Sequence, residues 1–319
     1  MKCRNASIAC FEIPLLHPFY IQGNELLSRQ GAYLVLVDDL GHRGVGECSP
    51  LPGFSTEPFT RAQAQLKRVA SQLMGSTHLE SLSAELLDGL FPSVRMALDM
   101  AIMDLGWQRS GRFSDRATLS VVLNGLLMGQ GKEAAASVLV LLEQGYRSIK
   151  IKVARQSMAQ DIETVMRTRR LVAGRARLSL DANRSWSLDP ACAFAGSIGP
   201  EPIEYIAEPT RKAQDHCALW QSTGMRVALD ESLHQSVVAD ELLGDWLGAF
   251  VLKPAMIGKL SQVEALIGRA GKLGIPAVLS SVFESPVALQ FYARLAFVHG
   301  LQHEAHGLDT WRCLRPQPE

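Results

Sequence analysis

Hydrophobic and polar positions alternate along residues 148–154 as they do in a half-buried β-strand. Isoleucine and valine side chains would form one face, and Lys150 and Lys152 the other, because side chains along a strand repeat every second residue. If the second face were turned to solvent, the two lysines would be ordinary surface charges. The segments that follow decide between a surface pair and a functional pair.

Further strand-like runs follow at intervals of about 20 to 30 residues, the length of one strand plus one helix in a barrel. The stretches between them, such as 159–172 and 260–273, have helical periodicity. The ends of these runs carry Asp181, Glu208, Asp230 and Lys253. Because the ends of parallel barrel strands converge at the C-terminal mouth, this pattern predicts a site there.

The N-terminal part of the chain is organised differently. Its strand-like stretches predict a small antiparallel sheet, with a polar loop at 21–30 between them, and three helices follow. Ser93 is the expected N-cap of the third helix. The predicted segments are strands at 6–20 and 31–47, an irregular loop at 48–57, helices at about 58–74, 79–89 and 94–108, a first barrel strand at 119–125, a last strand-like run at 275–285 and a helix at about 287–298.

These segments predict an α/β fold, a barrel with a smaller N-terminal domain that is called the capping domain below. We expect the capping domain to span residues 1–115 and the barrel, which carries the catalytic site, residues 116–304. The domain boundary is expected in the polar stretch 111–116. The C-terminal tail, about 305–319, is expected to rejoin the capping domain.

Composition narrows the functional classes. The chain has 319 residues, is 47% hydrophobic and 20% charged, and has no formal net charge. Neutrality without a basic run argues against nucleic acid as a partner, and no apolar segment has the length of a membrane span. The N-terminus lacks the apolar core of a signal peptide, and the six cysteines show no Cys-x-x-Cys pairing. We expect a cytoplasmic protein, monomeric or homo-oligomeric, that acts on a small-molecule carboxylate.

Carboxylates that face one another at a barrel mouth repel unless a cation lies between them. A hard divalent cation such as Mg²⁺ is the usual partner. A lysine that is partly desolvated and close to other cations has a lowered pKa and can act as a base. Asp181 or Asp230 alone would be read as a helix cap, but together with flanking lysines they favour proton abstraction next to a carboxylate.

The motifs in the second half of the chain resemble those of the enolase superfamily, in its muconate-lactonising subgroup, and within it the o-succinylbenzoate synthase family. The matching motifs are Lys150-Ile-Lys152, Asp181-Ala-Asn-Arg-Ser-Trp186, Glu208-Pro209, Asp230-Glu-Ser232, Lys253-Pro254 and Ser280-Ser281, with weaker matches at Ser49-Pro-Leu-Pro-Gly-Phe54, Asn124-Gly125 and Gly307-Leu-Asp-Thr310. They follow the family's order along almost the whole chain.

The resemblance implies an α/β fold, a modified TIM barrel of the (β/α)7β type with an α+β capping domain. It also implies a carbon–oxygen lyase of menaquinone biosynthesis. It would catalyse the Mg²⁺-dependent syn dehydration of SHCHC, a succinyl-hydroxycyclohexadiene carboxylate, to o-succinylbenzoate through an enediolate, with Mn²⁺ as the alternative metal. Lys152 would be the general base, Lys150 would lower its pKa, and Lys253 would stabilise the enediolate. Asp181 and Asp230 would bind the metal.

The resemblance also implies contacts with the substrate. Ser280 and Gly307 would touch its succinyl side, and the loop around Phe54 would close over it. Asn124 is a further candidate for substrate binding.

One position departs from the family pattern. The family's middle metal ligand is a Glu two residues before the proline, and this chain has Ala207 there. Glu208 is a tentative replacement, because a bulge could turn it inward. Otherwise water or Asn183 completes the metal shell, or the metal site is weakened.

Two other functions compete with the dehydratase. An N-acylamino acid racemase or dipeptide epimerase would use Lys152 and Lys253 as bases on opposite faces of its substrate. A non-catalytic barrel with a decayed metal site would follow from the loss of the carboxylate at position 207.

Overall fold

Two sheets organise the chain in the structure, which is a computed structural model. It describes residues 1–21, 24–113, 119–127, 131–235 and 243–315. A three-stranded antiparallel sheet lies at the N-terminus, and a parallel sheet of seven strands follows. No helix of the described residues is both long and apolar enough to cross a bilayer.

The regular elements are numbered here in chain order. The strands are β1 Cys3–Ile21, β2 Asn24–Asp38, β3 Arg43–Cys48, β4 Gly125–Leu127, β5 Ser148–Lys152, β6 Arg177–Asp181, β7 Ile203–Ala207, β8 Val227–Leu229, β9 Leu247–Leu252 and β10 Ala277–Leu279. The helices are α1 Phe59–Leu73, α2 Ala84–Leu87, α3 Pro92–Arg109, α4 Gly131–Glu143, α5 Met158–Val172, α6 Leu188–Ile198, α7 Asp215–Thr223, α8 Ser232–Gln235, α9 Pro254–Ile257, α10 Leu260–Leu273 and α11 Pro286–Val298, and a 3₁₀ helix spans Asp309–Cys313.

The antiparallel sheet packs against helix α3 at very short range. A Cβ atom at Gly46 would lie 1.8 Å from the carbonyl oxygen of Ala97, and one at Gly44 would lie 2.2 Å from that of Ala101. Only glycine allows β3 to lie directly on the helix backbone. This contact places the loop after β3 at the mouth of the barrel.

The seven parallel strands run in the order β4 to β10 around the barrel. Residues 306–307 close the ring: Leu123 forms a parallel bridge with His306, and Ser280 forms one with Gly307. The Gly307 amide donates to the Leu279 carbonyl at 2.8 Å. The predicted (β/α)7β fold is therefore confirmed, with a two-residue bridge in the place of an eighth strand.

The polar loop predicted at 21–30 is wrong, because Asn24–Asp38 is one continuous strand. Phe19 pairs with Leu26 and Pro14 with Ser28, so the long β1 satisfies the backbone of this polar segment. Residues 22–23 lie outside the described residues. Composition indicated a loop here because strand pairing over this length depends on the partner strand and not on the segment itself.

Two helix predictions also need correction. The helix predicted at 79–89 is reduced to the single turn Ala84–Leu87. Helix α3 begins at Pro92, with Phe91 as its N-cap, so Ser93 lies within the first turn. Ser93 donates its hydroxyl to the Glu57 carboxylate at 2.5 Å instead of capping the helix. Proline suits the first helical position because its missing N–H has no partner there anyway.

The first and last barrel strands are shorter than predicted. Residues 119–124 form no strand apart from the bridge at Leu123, and β4 begins at Gly125. The run at 275–285 contains only the strand Ala277–Leu279. In both places some backbone pairing continues beyond the strand, since the Asn124 amide donates to His306 and the Ser280 amide donates to Leu252.

The C-terminal tail contacts the N-terminal sheet. Leu314 forms an antiparallel bridge with Leu15, and the Arg315 amide donates to the Pro14 carbonyl at 2.8 Å. The domain limits themselves stay a prediction, and much of the boundary proposed at 111–116 falls outside the described residues.

A fully buried arginine joins the N-terminal sheet to the barrel. Arg29 of β2 is 1% exposed, and its guanidinium donates to the carbonyls of Ser49, Pro50 and Phe283 at 2.6, 3.1 and 3.0 Å. It thereby fixes the loop after β3 and the loop after β10 to each other. Both loops border the barrel mouth.

Two buried glutamates accompany this arginine. Glu47 accepts the Ser285 amide and hydroxyl at 2.9 and 2.6 Å, and Glu284 accepts the Tyr292 hydroxyl at 3.2 Å. Burial, together with the nearby charge of Glu47, raises the pKa of Glu284 to about 7. Arg29 offsets this only in part, because one guanidinium faces two carboxylates.

The raised pKa of Glu284 predicts a loss of stability as the pH rises. Folded protein holds the Glu284 proton between the unfolded pKa, near 4.5, and about 7, whereas the unfolded chain releases it. Stability should therefore fall across this interval, by about 3 kcal/mol in total. Urea unfolding of wild type and of Glu284→Gln across this pH range measures the effect. The slope should be shallower in the variant, and equal slopes would contradict the assignment.

Candidate active site

The residues at the C-terminal mouth of the barrel are aligned by strand register. Lys152 pairs with Asp181, Asp181 with Ala207, and Ala207 with Ala228 on the next strand. Asp230 is the first residue after β8, and Lys253 is the first residue after β9. The strand ends therefore bring the predicted lysines and aspartates to one rim.

Asp181 lies between two lysines. Its Oδ2 atom accepts from Lys150 Nζ at 2.8 Å and from Lys152 Nζ at 2.6 Å, and Asp181 is completely buried. Lys152 also donates to Asn183 Oδ1 at 2.9 Å. The shared Asp181 oxygen holds the ammonium groups of both lysines close together at the base of the mouth.

Asp230 has a single lysine partner. Lys253 Nζ donates to its Oδ2 atom at 2.6 Å, and both residues are buried. The Nε2 atom of His234 lies 3.6 Å from the other oxygen, Oδ1. Lys253 is separated from Lys152 by the strands β6, β7 and β8, so the two lysines face the mouth from different sides.

Burial and neighbouring charges separate the pKa values of the three lysines. Burial, opposed by Asp181 and reinforced by Lys150 and Lys253, lowers the pKa of Lys152 to about 8. Burial also disfavours the charged forms of Lys150 and Lys253, but Asp181 and Asp230 outweigh it and raise their pKa values. Lys152 is therefore the lysine best suited to act as a base near neutral pH.

The two aspartates stay ionised. Burial works against the charge of Asp181, but Lys150 and Lys152 outweigh it and hold its pKa well below the usual value. The pKa of Asp230 is lowered in the same way, because Lys253 outweighs the effect of burial. Both are anions over the physiological range.

Glu208 does not present a free carboxylate to the mouth, which corrects its tentative assignment as a metal ligand. Its backbone is in the left-handed region, with φ of 41°. Its Oε1 atom accepts the amides of Asp230 and Ser232 at 3.0 and 2.8 Å, and its Oε2 atom accepts Arg184 Nε at 3.0 Å. The backbone does turn at this residue, but the carboxylate is used to fix the neighbouring strand ends.

Ala207 occupies the position where the family has its middle carboxylate ligand. Its side chain is completely buried, in an apolar cluster with Tyr205, Ala228, Ala249 and Val251. Strand β7 therefore supplies no oxygen to the rim between Asp181 and Asp230.

A cavity of about 790 Å³ borders the ends of β6 and β8, where Asn183 and Glu231 line it; the lysines and aspartates beside these two residues are not among the described residues of its lining. Phe54 of the predicted covering loop lines the cavity, together with Asn183, Glu231 and His234. Sequence reasoning missed Glu231 and His234, although both lie within five residues of Asp230. Glu231 could have been found in the quoted motif Asp230-Glu-Ser232.

The other predicted substrate contacts stay a prediction, and their residues lie where the barrel closes. Ser280, Gly307 and Asn124 are not among the described residues that line this cavity. A Cβ atom at Gly307 would lie 2.6 Å from Ser280 Oγ, so these two residues pack against each other. Asn124 donates its side-chain amide to the Ala305 carbonyl at 3.0 Å. In this structure all three residues help to close the barrel.

The oxygen atoms at the mouth fit a hard divalent cation in chemical type. Asp230 Oδ1 and Glu231 Oε2 are buried and have no hydrogen-bond partner, although both belong to acidic side chains. Such oxygens are costly to bury unless a cation or donor meets them. Within the described ranges, however, no three His, Cys, Asp or Glu side chains already converge as a metal centre.

Comparison with known proteins places the chain in a family. Residues 133–316 match the model "Enolase C-terminal domain-like", and residues 3–105 match "MenC, N-terminal domain". The o-succinylbenzoate synthase of Vibrio cholerae serotype O1 is 31% identical, over 99% of this chain and 92% of its own length. The chain belongs to the o-succinylbenzoate synthase family of the enolase superfamily. The synthase of Salmonella arizonae is 32% identical over 98% of this chain and 93% of its own length.

Solved structures support the fold of this o-succinylbenzoate synthase family member. A mandelate racemase/muconate lactonizing protein from Herpetosiphon aurantiacus aligns with a TM-score of 0.85 at 23% identity, covering 99% of this chain and 91% of its own. A dipeptide epimerase from Enterococcus faecalis aligns with a TM-score of 0.85 at 20% identity, covering 100% and 93%. At these identities the likeness concerns the fold. Membership of the enolase superfamily implies dependence on a divalent metal in general and a small-molecule substrate.

The contact between Arg184 and Glu208 predicts a specific loss of stability. Arg184→Met would leave one oxygen of a completely buried carboxylate with fewer donors, which costs about 1–3 kcal/mol. Arg155→Met is the matched control, because Arg155 is exposed and its side chain makes no hydrogen bond or ion pair with another described residue. Chemical denaturation should show the control within about 0.5 kcal/mol of wild type. Equal losses in both variants would contradict the anchoring role of Arg184.

Proposed function

We propose that this protein is an o-succinylbenzoate synthase that removes water from SHCHC in menaquinone biosynthesis. The observation that carries the proposal is the pair of lysine–aspartate contacts on two sides of one mouth, Lys152 with Asp181 and Lys253 with Asp230. Two relatives support this substrate, because they are o-succinylbenzoate synthases and match nearly the whole chain at 31% and 32% identity.

Lys152 is the proposed general base. With a pKa of about 8, roughly a tenth of its side chains are neutral at one pH unit below that value, which is enough to start the reaction. Neutral Lys152 takes the proton from the ring carbon next to the carboxylate, and the electron pair moves into an enediolate. The same ammonium then returns its proton to the departing hydroxyl, which leaves as water. A syn elimination needs only one such group, since both atoms leave from one face.

Lys253 and Lys150 have the complementary task. Their raised pKa values keep them cationic while Lys152 exchanges its proton. Lys253 would face the other side of the ring and stabilise the negative charge of the enediolate. Lys150 would hold Asp181 and keep positive charge close to Lys152.

The proposed metal is Mg²⁺, with Mn²⁺ as the alternative, and Asp181 and Asp230 would hold it. When bound, it would supply positive charge to the substrate carboxylate and so make the neighbouring proton more acidic.

Racemisation of N-acylamino acids or epimerisation of dipeptides is less well supported. The dipeptide epimerases align as folds at about a fifth identity, whereas the synthases match in sequence along the whole chain. Exchange of solvent deuterium into an N-acylamino acid would reveal such an activity directly.

Replacing the base tests the proposed mechanism. Lys152→Ala should lower kcat for SHCHC dehydration by about 10²–10⁴-fold, the usual contribution of a general base. Lys259→Ala is the matched control, because Lys259 is exposed at the start of α10. Turnover is followed as formation of o-succinylbenzoate, and circular dichroism shows whether both variants fold. A near-normal rate in Lys152→Ala would exclude Lys152 as the base.

A further inference from the structure

The rim of the barrel contains one carboxylate fewer than the family pattern requires. Strand β6 contributes Asp181 and strand β8 leads to Asp230, but β7 between them ends in Ala207. Glu208 is a poor replacement for the missing carboxylate, because both its oxygens accept hydrogen bonds from Arg184, Ser232 and the Asp230 amide, and binding a cation would break the contacts that hold two strand ends. A third anionic ligand would have to come from another part of the mouth.

Glu231 has the required spare oxygen. Its Oε1 atom accepts from Asn183 Nδ2 at 2.9 Å, whereas its Oε2 atom is buried without a partner. Among the carboxylates of the described residues, only Asp230 and Glu231 have a buried oxygen without a hydrogen bond. These two residues are neighbours in the chain, and Asp230 is completely buried.

The other acidic residues close to the mouth are already engaged. Glu57 accepts from Ser93 and Thr56, and Glu47 accepts from Ser285. Neither has an oxygen left without a donor.

Glu231 is also linked to the proposed base. Asn183 donates its amide nitrogen to Glu231 and accepts Lys152 Nζ with its amide oxygen at 2.9 Å. The Asn183 backbone amide donates to Asp181 Oδ1 at 3.1 Å. One asparagine thus fixes Glu231 relative to Asp181 and Lys152, and Glu231 lines the cavity through which an ion would enter.

We propose that Glu231 supplies the third carboxylate for the divalent cation, in place of the side chain that Ala207 lacks. Binding through Oε2 leaves the hydrogen bond from Asn183 to Oε1 intact. An oxygen ligand suits a hard cation better than the neighbouring Nε2 atom of His234, which is also unpartnered. The inference rests on the proposed metal-dependent function, but not on the identity of the substrate.

Mn²⁺ binding tests this inference without any turnover. The free Mn²⁺ signal in electron paramagnetic resonance is titrated with wild type, Glu231→Gln and Glu208→Gln. Glu231→Gln should weaken Mn²⁺ binding by about tenfold or more, because it removes one charged ligand while keeping the side-chain shape. Glu208→Gln should lose clearly less affinity than Glu231→Gln, since its carboxylate is directed at Arg184 and acts on the metal site only through the Asp230 amide.

A rescue variant sharpens the test. Ala207→Glu in the Glu231→Gln background should recover most of the lost Mn²⁺ affinity, because it returns a carboxylate to the gap between Asp181 and Asp230. Wild-type affinity in Glu231→Gln, or a larger loss in Glu208→Gln than in Glu231→Gln, would overturn the inference. So would a wild-type protein that does not bind Mn²⁺. A protein that binds Mn²⁺ through Glu231 but leaves SHCHC unchanged would refute the proposed substrate alone.

Discussion

The structure depends on the neutralisation of charges that are buried at the barrel mouth. Asp181 is completely enclosed and stays ionised because Lys150 and Lys152 both meet it. A buried charge without a partner costs several kcal/mol. Strands β5 and β6 must therefore keep the register that places Lys152 opposite Asp181. A slip of one residue would move both lysine side chains to the other face of the sheet, away from Asp181.

The same constraint explains why the mouth is reactive. One carboxylate oxygen cannot fully neutralise the charges of two lysines. Lys152 has the lower pKa of the two, so it is the one that can lose its proton. Around the rim, Glu208 and Arg184 hold the turns that carry Asn183 and Asp230. The N-terminal sheet covers this arrangement through buried Arg29, which joins the loops at the mouth.

The chemistry of the mouth could be predicted from the sequence because strand alternation and spacing are local properties. Lys152, Asp181, Asp230 and Lys253 all lie where the pattern placed them. The direction of the Glu208 carboxylate could not be predicted, since it depends on Arg184 and on amides of the next strand. The strand at 24–30 was missed for a similar reason: its polar residues pair with β1, and pairing is a property of two segments. Ser280, Gly307 and Asn124 were assigned by resemblance, and their packing depends on how the barrel closes.

The most direct test of the account is dehydration of SHCHC by the wild-type protein as Mg²⁺ is added back from a chelated baseline, with Ala207→Glu measured in parallel. We expect the wild type to be inactive in chelator and to gain activity as Mg²⁺ rises, which would mean that a mouth without a carboxylate at position 207 still supports the reaction. A wild type that stays inactive at saturating Mg²⁺, while Ala207→Glu becomes active, would contradict the account and indicate a decayed metal site.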